Sequence, residues 1–502
     1  MTPSPTLNRP MITLSIMTAT VMIALDTTIA NVALPHMQGS VSASADQITW
    51  VLTSYIVAAA IFTPLTGWVT GRFGRKNVFM TAIAGFTLAS ALCGIANSLA
   101  ELVLFRLLQG ALGAMLLPLS QAVLLDINPK ERHGQAMAVW GMGAMLGPIM
   151  GPALGGWLTE NLNWRWCFFI NVPFGALALA GVFFFIHGER NHDAPRLDVF
   201  GFAMLSLALG AFQLMVDRGQ IQDWFSSSEI WIELGVAALA LAVFVIHNWT
   251  AKNPFVPHAL LKDRNFITAN CFGALLGLLV YATMALLPQL AEVLLDYPVV
   301  TTGFIMAPRG FGTLISMFMV GRMIGKMDIR LILLIGLTIS AFAMWQMSRF
   351  ALDMSPNAIA IAGVVQGVGT GLLFVPLSTV AFSTIDVRYR TDGAGVYTLV
   401  RNIGSSIGIS IMQSLQIQNT AIVHAGIVAH AVPGAPALQG TPFDLSRAGG
   451  ALAFNAEATR QASMVAYVDV FYLMTFICIA ATPLLLLVRR SRSPAEAHVV
   501  VD

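Results

Sequence analysis

Residues 107–120 read LLQGALGAMLLPLS, and residues 364–378 read VVQGVGTGLLFVPLS, the same pattern with one residue inserted. A weaker match pairs GRFGRK at residues 71–76 with GRMIGK at residues 321–326. Both pairs are separated by about 250 residues, and two matches at one offset indicate an internal duplication. We infer that the chain consists of two repeated halves.

The composition of the chain is that of a membrane protein. Of its 502 residues, 56% are apolar and only 10% are charged, and the mean hydropathy is +0.74. Soluble domains carry about 25% charged residues, so a soluble enzyme, a disordered chain and a nucleic-acid binder are excluded. The four cysteines lie far apart without paired spacing, which indicates neither a disulfide framework nor a zinc site. We expect no metal and no cofactor.

Fourteen apolar stretches are long enough to cross a bilayer, for which about 20 residues are needed. They lie near residues 12–34, 48–70, 78–97, 101–125, 135–158, 167–187, 197–216, 230–249, 266–290, 299–321, 331–350, 358–383, 393–417 and 467–488. The repeat divides these spans, and we predict an all-α polytopic fold. It has six-helix halves at residues 1–188 and 265–502, a two-helix insert at 189–264, and a long Ala/Gly/Pro-rich outer loop at 418–466.

The basic residues predict the orientation of the spans. With the N-terminus inside, 19 of the 27 Lys and Arg residues lie on the inner side, five lie on the outer side and three are deep in spans. Cytoplasmic loops carry the excess of positive charge in membrane proteins. We therefore predict an even number of spans with both termini in the cytoplasm.

One acid and one base lie deep in the first half. Asp26 is the only carboxylate deep in a predicted span, roughly 21 Å above its inner end, and Arg106 lies roughly 8 Å below the outer end of its own span. The second half has Gly363 where Arg106 would be, and a repeat that differs at a charge favours a functional role. Burial favours a protonated carboxylate and a nearby cation favours the ionised one, so Asp26 could load and release a proton. The alternatives are a fixed ion pair and a bond from Asp26 to the backbone.

Other polar side chains in the spans are candidates to line a substrate cavity. Arg309 and Arg401 are deep, and each either satisfies backbone carbonyls or contacts the substrate or the proton path. Amides in the spans could face a cavity or form hydrogen bonds between helices. These amides are Asn31, Gln109, Gln289, Gln366 and Asn402.

The fifth span carries a stripe of small residues. Its glycines recur every four residues, which lets another helix backbone approach closely, and its two prolines allow the helix to bend. The residues are Gly143, Gly147, Pro148, Gly151, Pro152 and Gly155. We expect Gly404 and Gly408, in the repeat-equivalent span 13, to face this stripe. The alternative is simple helix packing without a role in transport.

Several stretches resemble the fourteen-helix drug:proton antiporters, the EmrB/QacA family of the major facilitator superfamily. LDTTIANVALP at residues 25–35 looks like the first-helix signature, and RLLQG at 106–110 resembles the fourth-span motif. GAMLGPIMGP at 143–152 is similar to the antiporter motif of span 5. Residues 67–76 resemble the loop motif between spans 2 and 3, with Gly71 where that motif usually has an acidic residue. NWRW at residues 163–166 and NVP at 171–173 also fit the family.

The resemblance implies proton-coupled, alternating-access efflux of hydrophobic or amphipathic drugs across a bacterial inner membrane. Asp26 would carry the proton and Arg106 would modulate it. The partners would be small-molecule drugs, protons and the lipid bilayer, with no nucleic acid. EmrB-like pumps also work with a periplasmic adaptor and an outer-membrane channel, which makes the outer loop a candidate docking site; the alternative is a flexible linker. The same resemblance implies a cytoplasmic latch that holds the outward-facing state, formed here by Gly67, Arg72, Gly74, Arg75 and Asp126.

Other functions are possible from the residues alone. A dedicated exporter of a single metabolite, fatty acid or siderophore would have the same spans, and a non-transporting scaffold or sensor is a third possibility. Enzyme chemistry is not indicated, because the sequence has neither a phosphate-binding loop nor a histidine pair with metal-ligand spacing on a helix.

Overall fold

The computed structural model of the chain describes residues 8–186, 196–432, 438–439, 441–445, 447 and 449–488. Within these ranges the protein is helical and contains no β-strand. The predicted all-α fold is therefore confirmed. The predicted boundary between the first half and the insert, at residues 188 and 189, lies outside the described residues.

Fourteen long helical segments follow one another through the described chain, and they correspond to the fourteen predicted spans. Thirteen are long and apolar enough to cross a membrane by length and composition. The exception, α13, carries several serines, glutamines and Arg401 along its length, which lowers its hydropathy. The segments are α1 Arg9–Ser40, α2 Trp50–Phe73, α3 Arg75–Ile95, α4 Leu99–Ile127, α5 His133–Asn161, α6 Trp166–Phe185, α7 Val199–Arg218, α8 Ser228–Thr250, α9 Arg264–Leu294, α10 Val299–Met323, α11 Ile329–Met347, α12 Pro356–Ser383, α13 Arg390–Ala429 and α14 Gly450–Leu487.

Some of these segments change helix type along their length. A 3-10 turn at Thr63–Leu65 interrupts α2, and a π turn at Leu290–Leu294 ends α9. Short helices lie between the long segments, at Ala45–Ile48, Lys130–Arg132, Trp224–Ser226, His258–Lys262 and Val387–Tyr389.

Local sequence signals begin and end the helices. Ser98, Asp198 and Asp263 precede α4, α7 and α9, and the side chain of each accepts a hydrogen bond from a backbone N–H of the first turn. These caps satisfy donors that a helix start leaves free. Gly74 separates α2 from α3 with a φ of +83°, a left-handed value that favours glycine.

The two halves pack with the same internal pattern. In the first half α1 packs against α5 and α2 against α4, and in the second half α9 packs against α13 and α10 against α12. The halves meet along α5 with α10 and along α2 with α13. Of the insert helices, α7 packs against α8 and α2 and also contacts α13, so the insert lies beside one of the two inter-half seams.

The prediction that residues 418–466 form a loop is wrong over much of that range. Helix α13 runs on to Ala429 and α14 already begins at Gly450. Hydropathy detects only the residues that are apolar enough for the hydrocarbon core of the bilayer. The Ala-rich polar residues next to them continue the same helices beyond that core. The 40 residues of α13 span about 60 Å, twice the thickness of the core. We call residues 418–429 and 450–466 the α13–α14 hairpin, and His424 Nε2 lies 3.0 Å from Asn455 Oδ1 across it.

The small-residue stripe of α5 packs against α1. A Cβ atom on Gly147 would overlap the Ala24 carbonyl, and one on Gly151 would overlap the Thr28 hydroxyl. The Thr28 hydroxyl donates to the Gly147 carbonyl at 3.1 Å, so the two backbones are in direct contact. Helix α5 remains continuous through Pro148 and Pro152 of the stripe.

The expected pairing of Gly404 and Gly408 with that stripe is wrong. Both glycines of α13 pack against α9, where added Cβ atoms would meet the backbone of Ala274 and Leu278. The stripe and its repeat equivalent therefore each bind a helix of their own half. A sequence repeat identifies equivalent helices but does not show whether they pair within or between halves.

We predict that Gly147→Ala destabilises the protein, because the new methyl group overlaps a backbone that cannot move aside without shifting α1. Overpacking of this kind costs about 1–3 kcal/mol of unfolding free energy. Gly156→Ala in the same helix is the matched control, since no atom lies within 4 Å of its Cβ position. Thermal unfolding of the purified variants checks this, and equal melting temperatures for the two would contradict the packing described.

Candidate functional site

Asp26 and Arg106 form an ion pair inside the first half. Arg106 Nη1 donates to Asp26 Oδ2 at 2.8 Å, and both side chains are 1% exposed. Asp26 comes from α1 and Arg106 from α4, so the pair joins two helices that are distant in the sequence. The matching depths estimated from the sequence thus correspond to direct contact.

Two amides complete the binding of the Asp26 carboxylate. Gln109 Nε2 donates to Asp26 Oδ1 at 2.8 Å, and Asn171 Nδ2 donates to the same oxygen at 2.7 Å. Gln109 also accepts from Arg106 Nη1 at 2.8 Å, and Asn171 donates to the Ser90 hydroxyl at 2.9 Å. Both carboxylate oxygens therefore have protein donors, and the network draws on α1, α3, α4 and α6.

Arg106 is held on its other sides by α2 and by an aromatic ring of α6. Its Nε donates to the Val51 carbonyl at 3.2 Å, and its guanidinium lies 4.2 Å from the Tyr55 ring centroid and 5.6 Å from that of Phe168. Cations are attracted to aromatic faces, most strongly where water is excluded. The guanidinium is thus fixed by one carboxylate, the Gln109 amide oxygen, one backbone carbonyl and two rings.

Protonation of Asp26 would change the contacts of this arrangement. Neutralising Asp26 removes the counter-charge of Arg106 inside the membrane, where an unpaired charge costs several kcal/mol. A proton on either Asp26 oxygen also places an O–H donor against a group that now donates to that oxygen, which weakens that hydrogen bond. The site can therefore exchange a proton for a change in the contacts between α1 and α4.

Among the residues that the structure describes, the second half has no charge pair at the equivalent place. Gln366, the repeat equivalent of Gln109, donates to the Thr283 hydroxyl of α9 at 2.8 Å. Arg309 of α10 lies against Gly363, the residue in place of Arg106, and its Nη2 donates to the Val280 carbonyl at 3.0 Å. The second half therefore keeps the geometry of the first half but has other side chains in place of the Asp26–Arg106 pair.

The remaining cavity candidates do not join the Asp26 network. Asn31 and Gln289 are exposed, Asn402 is half-buried, and none of these amides makes a side-chain hydrogen bond within the described chain. Arg401 is buried with its guanidinium 5.5 Å from the Phe374 ring centroid. Their role as substrate contacts stays a prediction.

A second charge network joins the two halves at the predicted inner end. Asp126, at the end of α4, pairs with Arg75 at the start of α3, and its Oδ1 accepts from Arg390 Nη1 of α13 at 2.7 Å. Arg390 is 6% exposed in its side chain and belongs to the second half. The predicted latch residues Arg75 and Asp126 are thus brought together, and Arg390 is the partner that the sequence reasoning missed.

The other latch candidates lie around this network in different ways. Asp392 of α13 packs directly on Gly67, where any Cβ atom would overlap its carboxylate. Gly74 forms the turn between α2 and α3, whereas Arg72 is exposed and makes no ion pair within the described chain. Close contact between α2 and α13 therefore depends on Gly67 and not on Arg72.

Contacts between α5 and α10 close the same end. A Cβ on Gly134 would overlap Ile324, and one on Gly321 would lie 2.9 Å from the Ala138 methyl. Towards the other end, Gly156 of α5 and Gly303 of α10 have no atom within 4 Å of their Cβ positions. The described halves are therefore in close contact at the predicted inner end.

Asn171 and Ser90 are the members of the Asp26 network that sequence reasoning missed. Asn171 lies in the NVP stretch that resembles the family, which is a signal that could have found it. Ser90 has no comparable signal, because a lone serine in a span is ordinary. Its importance arises from the tertiary contact with Asn171 and from its own bond to the Phe168 carbonyl at 2.9 Å.

We predict that Asp126→Asn loosens the inner closure, because it leaves the buried Arg390 without a counter-charge. Spin labels at Glu131 and Lys326, exposed residues on opposite halves, would report the separation of the inner ends in a variant with Cys271→Ser. We expect a larger population of long distances than in the parent.

Asp386→Asn is the matched control for this measurement. Its side chain is 62% exposed, and its contact with Arg388 is 3.9 Å long, so neutralising it should leave the distances unchanged. A distance distribution for Asp126→Asn that equals the parent's would show that this network does not hold the halves together.

Comparisons with known proteins agree with this architecture. The family model of the Major Facilitator Superfamily matches residues 16–409. The chain is 34% identical over 472 residues to the Multidrug export protein EmrB of Haemophilus influenzae, and the match covers 92% of each chain. It is 36% identical over 441 residues to the Fatty acid resistance protein FarB of Neisseria gonorrhoeae, with 87% of each chain covered.

Among solved structures, the human organic anion transporter MFSD10 (TETRAN) has a similar fold. The TM-score is 0.59 at 16% identity, and the match covers 95% of this chain and 100% of that chain. At this identity the similarity concerns the fold alone. The family model and the sequence matches show that the chain belongs to the EmrB/QacA family of the major facilitator superfamily and is a multi-pass membrane transporter, not an enzyme.

Proposed function

We propose that this protein is a proton-coupled exporter of hydrophobic or amphipathic compounds in a bacterial inner membrane, with both termini in the cytoplasm. The observation that carries the proposal is the buried Asp26–Arg106 pair, a carboxylate placed where its protonation must alter helix contacts. The relatives named for multidrug export and fatty acid resistance support a small amphipathic cargo.

In this mechanism the proton enters from the outer side while the inner ends are closed. Protonation of Asp26 releases Arg106, the contacts between α1 and α4 change, and the inner network around Asp126 opens. Cargo enters from the inside as the proton leaves, and the cargo-loaded protein returns to the outward-facing state, in which the Asp26–Arg106 pair forms again. The two charge networks would thus be intact together in the outward-facing state.

The energy of one proton is sufficient for useful export. A charge that crosses 100 mV yields about 2.3 kcal/mol, and each tenfold concentration ratio costs about 1.4 kcal/mol. One proton per cycle can therefore sustain roughly a fiftyfold gradient of an uncharged compound at that potential.

We predict that Asp26→Asn abolishes gradient-driven transport and keeps exchange. In proteoliposomes with an acidic lumen, the parent protein should accumulate ethidium or decanoate. Uptake by the variant should be at least tenfold lower, at the level of protein-free vesicles. Substrate counterflow without a pH gradient should persist, because bound cargo alone drives the return step and Asn keeps the shape of the Asp26 side chain.

Two variants make this test specific. Glu160→Gln, at an exposed site at the end of α5, should transport like the parent. Asp26→Glu retains a titratable group and should keep part of the driven uptake. Unchanged gradient-driven uptake in Asp26→Asn would remove Asp26 from the mechanism, and loss of counterflow together with uptake would indicate a structural role instead.

A dedicated fatty acid exporter is the second candidate, and the 36% identity to FarB favours it. Competition separates it from a polyspecific pump. Inhibition of decanoate uptake by chemically unrelated compounds such as ethidium supports polyspecificity, and its absence supports the dedicated exporter.

We further propose that the α13–α14 hairpin docks a periplasmic adaptor that leads to an outer-membrane channel. The hairpin extends both helices beyond the length that a bilayer requires, and it exposes large apolar side chains: Ile422 is 69% exposed and Leu452 is 78% exposed. Exposed apolar residues on a projecting element are suited to a protein partner.

We predict that Ile422→Ser combined with Leu452→Ser reduces at least fivefold the amount of a co-expressed EmrB-type periplasmic adaptor that co-purifies with the protein. Val387→Ser, an exposed apolar site at the opposite end of the molecule, is the control and should have no effect. Co-purification that survives both the double substitution and deletion of the hairpin would contradict the docking role.

A further inference from the structure

We infer that Arg401 and Tyr397 of α13 form a binding site for the headgroup of an amphipathic anion. The inference rests on the proposed export function and assigns a substrate class to it. It depends on two buried donor groups without partners, an aromatic wall beside them, and the distribution of charge between the halves.

The Arg401 guanidinium is buried without a counter-ion. The side chain is 6% exposed, its Nε has no hydrogen-bond partner, and no carboxylate of the described chain lies within ion-pair distance. Its contact is with the Phe374 ring, 5.5 Å from the guanidinium to the ring centroid. A buried cation with so little compensation is unusual in a membrane protein and indicates a site that a ligand completes.

Tyr397 places a second free donor next to the first. It lies four residues before Arg401, so the two side chains share one face of α13. The residue is 1% exposed and its hydroxyl has no hydrogen-bond partner. A buried donor left unsatisfied costs about 1–3 kcal/mol, and a carboxylate or sulfonate could accept from both groups at once.

An aromatic wall adjoins these donors and is suited to an apolar tail. Phe374 stacks on Trp140 of α5, with ring centroids 5.7 Å apart and planes inclined by 14°. Phe382, two turns along α12, meets the Tyr397 ring edge-on at 6.0 Å. The wall includes residues of both halves, so a ligand against it would sense their relative position.

The depth of the site agrees with a transport site. Arg401 lies eleven residues beyond Arg390, the first residue of α13, or about 16 Å along the helix axis. That is near the middle of a hydrocarbon core about 30 Å thick. Transporters built from repeated halves bind their substrates at this level, between the halves.

The charges favour an anion over a cation. The deep carboxylate Asp26 is neutralised by Arg106, whereas Arg309 and Arg401 have no carboxylate within ion-pair distance among the described residues. The deep part of the second half therefore carries two positive charges. A cationic amphiphile would meet repulsion there, and an anionic one would supply the missing counter-charge.

The test compares two ligands with the same tail and opposite headgroups, decanoate and decyltrimethylammonium. Their binding to the full chain in lipid nanodiscs is measured by calorimetry, with empty nanodiscs subtracted. We expect Arg401→Gln to weaken decanoate binding at least tenfold and not to weaken decyltrimethylammonium binding. Tyr397→Phe, which removes only the hydroxyl, should weaken decanoate about threefold.

Two further variants make the result decisive. Arg388→Gln, whose side chain is 70% exposed, should bind both ligands like the parent. Arg401→Lys retains the charge and should bind decanoate more tightly than Arg401→Gln. Together with Tyr397→Phe it also tests the site if Arg401→Gln does not fold.

Several outcomes would overturn the inference. These are decanoate binding that is indifferent to Arg401 and Tyr397, equal weakening of both ligands, and a parent protein that binds only the cation. Failure of the export function would look different, because decanoate would then bind in an Arg401-dependent way while an acidic lumen drives no uptake. If uptake requires Asp26 but decanoate binding does not depend on Arg401, the export function stands and the proposed anion site is wrong.

Discussion

A charge inside a bilayer must be neutralised by its immediate neighbours, and the first half of this protein is built around that requirement. Asp26 and Arg106 neutralise each other, while Gln109, Asn171 and the Val51 carbonyl satisfy the groups that remain. Five helices, α1 to α4 and α6, supply these contacts directly or through Ser90. Removing either charge would leave the other unpaired in the membrane, and in the proposed mechanism this cost makes the protein respond to a proton on Asp26.

The second half repeats the architecture and changes its charges. Helices α9 and α13 meet through glycines as α1 and α5 do, and Gln366 occupies the place of Gln109. The carboxylate is absent and Gly363 replaces the arginine, while cations occur at Arg309 and Arg401 instead. One half thus holds a paired carboxylate, and the other holds two arginines that have no carboxylate partner among the described residues. Duplication followed by divergence at charged positions can thus place the site for the driving ion in one half and the site for the cargo in the other, as the two proposals above require.

The sequence predicts the fold well because bilayer thickness and hydropathy constrain it strongly. The depth of Asp26 and Arg106 follows from helical rise, and so their contact could be anticipated. Ser90 and Arg390 could not, since their importance arises only from tertiary neighbours. The predicted loop at 418–466 failed for a related reason: hydropathy identifies where a helix leaves the hydrocarbon and not where it ends. The predicted partners of Gly404 were wrong because a sequence repeat does not specify which helix surfaces meet.

Helix α4 connects the two charge networks physically. Arg106, near one end, holds Asp26, and Asp126, near the other end, holds Arg390 of the opposite half. Twenty residues separate them, about 30 Å along the axis, with one turn between Gly113 and Leu116 where the segment can bend. In the proposed mechanism, protonation frees α4 at the first site, and any rotation or shift of the helix changes the geometry at the second. A single element that carries one member of each pair can therefore couple proton binding to the separation of the halves.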